Sequence, residues 1–210
     1  MFITFEGIDG CGKSTQLNLL KEYLIENKFE VITTREPGGT ELSEQIRSIL
    51  LGVHNVINPL TELLLFEAAR AHLVETVIKP ALAQNIIVLS DRFFDSTVAY
   101  QGYGRGLCIE KINYLNNLAV NGVIPNLTFF LDIPTETSFE RRHKKEFDRI
   151  ENMDYNFFQN VINGFRKIAE LEPKRIITID ASQTKENTFQ QITAEWLLFT
   201  RKKSFGDFAS

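Results

Sequence analysis

Short apolar runs alternate with stretches of helical spacing along the whole chain. Phe2-Ile3-Thr4-Phe5, Val31-Ile32-Thr33-Thr34, Ile86-Ile87-Val88-Leu89, Leu127-Thr128-Phe129-Phe130-Leu131 and Arg175-Ile176-Ile177-Thr178-Ile179-Asp180 read as strands. The Ile86 run is unbroken, as expected for a central strand buried on both faces, and the Leu127 run reads as a further buried strand. Leu17, Leu20, Tyr23 and Leu24 recur at helical spacing and predict a helix from Ser14 to Asn27. Further helices are predicted over Glu41 to Leu51, Pro59 to Ala83, Ile109 to Asn121, Tyr155 to Leu171 and Glu186 to Phe199, with one opening at Pro134. Strand and helix in alternation give a five-stranded parallel sheet with helices on both faces, a three-layer α/β fold with right-handed crossovers. The stretch from Pro59 to Ala83 has apolar residues on more than one face, which predicts burial on two sides. One of those sides can meet a second copy of the chain. Residues 201–210 are expected to fray.

The first strand runs directly into Glu6-Gly7-Ile8-Asp9-Gly10-Cys11-Gly12-Lys13-Ser14-Thr15, which fits G-x-x-x-x-G-K-[ST], the P-loop. Glycines let successive backbone N–H groups curl inward and form a concave anion site. The next helix aims its unpaired N–H groups and partial positive charge at the same place. Lys13 is then placed for the β- and γ-phosphates of a nucleotide, and the Ser14 hydroxyl for Mg²⁺. The pattern fixes only four positions, but it lies between a strand and a helix, the context it requires.

Other polar residues collect where strands end, the edge at which parallel sheets bind ligands. Arg35-Glu36-Pro37-Gly38-Gly39-Thr40 is a turn that puts an arginine there. Asp91-Arg92 closes the Ile86 run. A carboxylate at that position needs a cation or donors, so Asp91 is expected to organise Mg²⁺ or its waters and Arg92 to grip phosphate; a mutual ion pair is the alternative. Asp95 can cap a short helix whose exposed side carries Ser96, Thr97, Tyr100 and Gln101. The cluster from Glu140 to Glu151, with Arg141-Arg142-His143-Lys144-Lys145, is either a solvated helix face or a mobile lid that brings cations over a polyphosphate. The variable P-loop positions Ile8, Asp9, Gly10 and Cys11 supply no cation, so catalysis would need one from elsewhere.

Composition narrows the class without changing the fold. A chain of 210 residues with 43% hydrophobic and 24% charged residues is ordinary for a soluble globular protein. It can form one α/β domain with a large core. A net charge of -4 argues against general nucleic-acid binding. The two cysteines, Cys11 and Cys108, cannot build a disulfide framework, which favours a reducing, cytoplasmic setting. There is no membrane-length apolar run and no secretory leader pattern at the start.

Taken together, Phe5 to Thr15, Arg35 to Thr40, Asp91-Arg92-Phe93 with Ser96 to Gly102, and Asp148-Arg149-Ile150-Glu151 resemble the ordered motifs of the thymidylate kinase family, over essentially the whole chain. The resemblance implies the P-loop nucleoside monophosphate kinase fold as a single domain over residues 1–210. It also implies Mg²⁺-dependent transfer of the ATP γ-phosphoryl group to dTMP by a homodimer. Gly7, Ile8, Asp9, Gly10, Cys11, Gly12, Lys13, Ser14 and Thr15 would hold the ATP phosphates, and Asp9 would also approach the deoxyribose. Arg35 and Arg92 would hold the dTMP phosphate, Phe66 would stack on thymine and Arg70 would bond the base edge. Ser96, Thr97 and Gln101 would surround the base, and Tyr100 would crowd the sugar 2′ position. Lys13, Arg92 and the lid arginines Arg142 and Arg149 would carry catalysis, and Gly10 resembles the branch in which the lid supplies the arginine. A different nucleoside monophosphate kinase would lack the Phe66, Arg70 and Tyr100-Gln101-Gly102 set. A GTPase-like switch would carry Asn-Lys-x-Asp and an Asp-x-x-Gly switch beyond the phosphate loop, and the sequence has neither.

Overall fold

A computed structural model describes residues 1–142 and 147–206, with side chains through Arg201. Among the described residues five strands form one parallel sheet: β1 (Phe2–Glu6), β2 (Val31–Arg35), β3 (Ile87–Asp91), β4 (Leu127–Asp132) and β5 (Ile176–Asp180), in the order β2-β3-β1-β4-β5. Every residue of β1 is buried, so both faces of the sheet are covered. Alternate side chains of β1 go to opposite layers: Phe2 meets Phe93 edge-on at 4.9 Å, and Phe5 meets its register partner Phe129 at 5.4 Å.

Helices α1 (Lys13–Glu26), α2 (Glu41–Leu51), α3 (Pro59–Leu73), α4 (Lys79–Ala83), α5 (Phe94–Thr97), α6 (Ile109–Val120), α7 (Thr135–Arg141), α8 (Tyr155–Leu171) and α9 (Lys185–Gly206) fill the layers. The local signals that the sequence carries act where they should. Thr40 caps α2 through Ser43 N, Asn58 caps α3 through Thr61 N with Pro59 in the first turn, and Asp154 caps α8 through Phe157 N.

Three elements differ from the sequence reading. The helix expected from Pro59 to Ala83 is continuous but passes through a π-helical stretch, Val74–Ile78, between α3 and α4. A second π stretch, Val98–Gly104, extends α5. Such wide turns insert a residue without breaking the rod, and apolar spacing alone does not reveal them. The last helix continues to Gly206, past the point where fraying was expected, and residues 207–210 lie outside the described residues. No helix among the described residues is long and apolar enough to cross a membrane.

Candidate active site

At the carboxyl edge of β1, β2 and β3 a cleft of about 510 Å³ opens. The P-loop forms one wall. Gly12 holds φ 93° and is the residue before α1, so the loop can turn its N–H groups inward there. Gly7 holds φ 136°, and a Cβ on it would lie 2.7 Å from the Leu131 carbonyl oxygen, so only glycine lets the loop pass β4. Asp9, Gly10, Gly12, Lys13, Ser14 and Thr15 line the cleft. Ile8 and Cys11 turn their side chains into the core instead, leaving only main-chain groups for a ligand.

Lys13 folds over the loop, donating to the Gly7 carbonyl at 3.0 Å and the Ile8 carbonyl at 3.1 Å, with Asp9 Oδ1 at 3.9 Å. Burial raises the Asp9 pKa, but Arg92 and Lys13 outweigh it and hold the carboxyl below the usual carboxylate range. Ser14 Oγ donates to Asp91 Oδ2 at 2.6 Å, joining the P-loop to the end of β3. The alternative of an Asp91–Arg92 pair is not what forms. Arg92 has φ 71°, and its guanidinium crosses beneath the loop to the Gly7 carbonyl (2.9 Å), Asp9 Oδ1 (2.9 Å), Ser96 Oγ (3.1 Å) and Tyr100 Oη (3.1 Å). Its charge also lies over the Tyr100 ring at 4.9 Å.

The opposite wall comes from α3, α5 and the second π stretch. Phe66, half-buried, and Arg70, 1% exposed, line it with Ser96, Thr97, Tyr100 and Gln101. These last four are buried and do not form the exposed helix side that the sequence suggested. The reason is Asp95. It does not cap α5 but lies within it, and its carboxylate takes a bidentate pair from Arg175 at 2.7 and 2.8 Å, pulling the helix against the start of β5. The first turn of α5 is held by Glu6 of β1, whose carboxyl accepts from Phe93 N at 2.7 Å and Ser96 Oγ at 2.6 Å. Burial, with the neighbouring Asp95 charge, pushes Glu6 up to about 8.

Arg70 is held more tightly than a base-reading arginine needs to be. It donates to Glu36 Oε2 (2.8 Å), Glu67 Oε1 (2.8 Å), Asn116 Oδ1 (2.9 Å) and Thr97 Oγ1 (2.8 Å), so bonding a base edge means sharing one of these. Burial raises Glu36 to about 7 against the opposing pull of Arg70, and its Oε1 finds no partner among the described residues. Arg35 is exposed and paired with Glu44 at 3.1 Å on the rim. Arg47 of α2, which the sequence reading passed over, joins it there and donates to the Pro37 carbonyl at 2.9 Å. Its only sequence signal is a cation one turn before the end of a helix that follows the arginine turn.

The charged segment divides. Arg141 and Arg142 line the cleft. Arg142 lies 4.1 Å over the Phe158 ring and 4.6 Å over Phe139, and its Nη2 donates to Ser138 Oγ at 3.2 Å. The expected cations His143, Lys144 and Lys145, with Glu146, lie outside the described residues. Arg149 is not brought to the phosphate loop. It donates to the Leu50 carbonyl at 2.8 Å and to Glu62 Oε2 at 2.5 Å. Spacing could not show this, because Glu62 lies 87 residues away in sequence.

A strand-loop-helix anion cradle, a hydroxyl–carboxylate pair beside it and converging arginines define a phosphotransferase of the P-loop kinase class. The family pattern described as thymidylate kinase matches residues 5–192. A thymidylate kinase of Kosmotoga olearia is 48% identical over 207 residues, 98% of this chain and 100% of its own. One of Prosthecochloris aestuarii is 48% identical, covering 92% and 91%. The crystal structure of thymidylate kinase from Ehrlichia chaffeensis superposes with a TM-score of 0.77 at 39% identity, over 94% of this chain and 98% of that one. The chain belongs to the thymidylate kinase family.

Proposed function

We propose that the protein transfers the γ-phosphoryl group of ATP to dTMP, giving dTDP and ADP. The observation that carries this is one cleft with the P-loop at one end, Phe66, Arg70 and Gln101 at the other, and arginines between. A dTMP phosphate oxygen forms the new bond to the γ-phosphorus as the bond to the β-phosphate oxygen breaks, and ADP leaves. The attacking oxygen is already ionised near neutral pH, so no strong base is required. Catalysis then rests on alignment and charge neutralisation. Lys13 and the loop amides hold the donor, Arg92 and Arg35 the acceptor phosphate, and Phe66 the base. Arg142, which lines the cleft, is our reading of the lid cation that acts on the transferred group, and Arg149 is our reading of a tether. Asp9, paired to Arg92, faces the acceptor sugar, with Tyr100 behind it.

Ser14 and Asp91 are the residues that would hold Mg²⁺, since a hydroxyl and a carboxylate oxygen 2.6 Å apart suit a hard cation. Such an ion would keep waters and nucleotide oxygens as its other ligands. When bound, the ion would take up charge on the β- and γ-phosphates. We further read residues 1–210 as one kinase domain with 140–151 as its lid, placed in the cytoplasm. We read the assembly as a homodimer formed on α3 and α6, which pack side by side and expose Leu60, Leu64, Tyr114 and Leu118. The test of function is ATP-dependent phosphorylation of dTMP, set against dUMP, dCMP, GMP and AMP. Folded protein that makes no dTDP overturns the proposal.

A further inference from the structure

Glu62 is fully buried in the first turn of α3, yet it is no part of the chemistry above. Its two oxygens collect four hydrogen bonds from three residues. Oε1 accepts from Gln101 Nε2 at 2.9 Å and Arg105 Nε at 3.1 Å. Oε2 accepts from Arg105 Nη2 at 3.1 Å and Arg149 Nη2 at 2.5 Å. Burial alone would raise its pKa, but the hydrogen bonds from Arg105 and Gln101, with Arg149, turn the shift downward. The group is therefore a carboxylate at neutral pH and can only accept.

That fixes something usually ambiguous in an amide. Gln101 cannot offer its oxygen to Glu62, so its nitrogen must face the carboxylate. Gln101 also lines the cleft, and its oxygen is the end left for a ligand. An acceptor there suits a pyrimidine whose ring nitrogen carries a proton, as in thymine, and opposes cytosine, whose corresponding nitrogen is itself an acceptor.

We propose that Glu62 is a positioning residue that sets the amide of Gln101 with its oxygen toward the acceptor base. Through this one contact it contributes to the choice of thymine over cytosine. The inference rests on the reading of this pocket as the dTMP site. Arg105 and Arg149 immobilise the carboxylate, which gives Arg149 a reason to be where it is.

The test is a double-mutant cycle on the full chain with Glu62→Gln and Gln101→Ala, measuring kcat and KM for dTMP and for dCMP, with thermal melts alongside. Glu62→Gln is nearly isosteric but can donate, so the amide of Gln101 loses its fixed sense. The KM for dTMP should rise about threefold to tenfold. The ratio of kcat/KM for dTMP over dCMP should fall by a similar factor. In the Gln101→Ala background the same substitution should change neither. A purely structural role would give equal losses in both backgrounds, and that additive result overturns the proposal. So does an unchanged dTMP to dCMP ratio in folded Glu62→Gln. If Glu62→Gln does not fold, Glu62→Asp, which keeps the charge and withdraws it by one methylene, enters the same cycle with the same two outcomes. The parent protein's turnover of dTMP tests the pocket assignment separately: with no dTDP formed, that assignment fails before the cycle is read.

Discussion

Lys13 and Phe66 are single side chains whose removal separates binding from chemistry. Lys13 caps the loop carbonyls of Gly7 and Ile8, and a nucleotide would draw it toward phosphate. Lys13→Ala should lower kcat by about 10²–10³-fold, the scale of removing a preorganised charge from a transition state, while the melting temperature stays close to the parent's. Turnover near normal in that variant would remove Lys13 from the mechanism. Phe66 offers a half-buried ring to the cleft, and Phe66→Ala should weaken dTMP binding by about 1–3 kcal/mol, read by titration calorimetry. Unaltered dTMP affinity would dismiss it as a base platform. Titration at single residues also predicts a pH trend. Glu6 and Glu36, raised to about 8 and about 7, keep protons in the folded state that the unfolded chain releases near pH 4.3. Their contribution is complete below that value and is lost as pH rises through the folded pKa values. Asp9 acts in the opposite sense, contributing above its unfolded pKa and losing that contribution only in acid. Stability should therefore decline from about pH 5 to about pH 8.5, and Glu6→Gln should flatten the decline. Equal slopes in the two proteins, followed by melting temperature, would show that Glu6 is not the group responsible.

At the scale of elements, the segment from Phe94 to Gly104 matters most, because it presents Ser96, Thr97, Tyr100 and Gln101 together. Its position is set from both ends of the sheet: Glu6 holds the first turn, and Arg175 holds Asp95 from the edge of β5. Arg175 is also saturated by Glu172 at 2.6 Å and Thr128 at 2.9 Å, and its charge lies 5.0 Å over Phe94. Arg175→Met leaves the buried Asp95 carboxylate without its cation and should cost about 3–5 kcal/mol in urea unfolding. Adding Asp95→Asn should recover part of that loss, and additive losses would mean the two residues do not act as a pair. The sequence located this segment and its polar residues but read them as an exposed face. A short helix has the same local pattern whether a distant arginine pulls it inward or water surrounds it.

For the whole molecule, the exposed apolar residues of α3 and α6 carry the assembly proposal. Leu64 and Leu118 are 48% and 68% exposed on helices that pack against each other. Leu64→Glu with Leu118→Glu should yield a monomer by sedimentation velocity where the parent sediments as a dimer. A parent that sediments as a monomer, or a variant that stays dimeric, would place the interface elsewhere. At this scale the sequence reading and the structure agree closely. The five strands and their parallel sense follow from period and alternation, because a β-strand and a helix must each bury an apolar face and the chain can satisfy both only in layers.

The sequence by itself determined the phosphate loop, since backbone conformation there depends on glycines at fixed spacing. It also determined the sheet and the presence of arginines at strand ends. Tertiary structure alone decided which arginine faces the cleft. Arg92, Arg142 and Arg149 are equivalent as letters, but each is directed by its own partners: Asp9, 83 residues away, for Arg92, the Phe158 ring with the nearby Phe139 ring for Arg142, and Glu62, 87 residues away, for Arg149. A buried guanidinium goes where its carboxylate, carbonyl or ring partners are, and those partners meet only once the fold has closed.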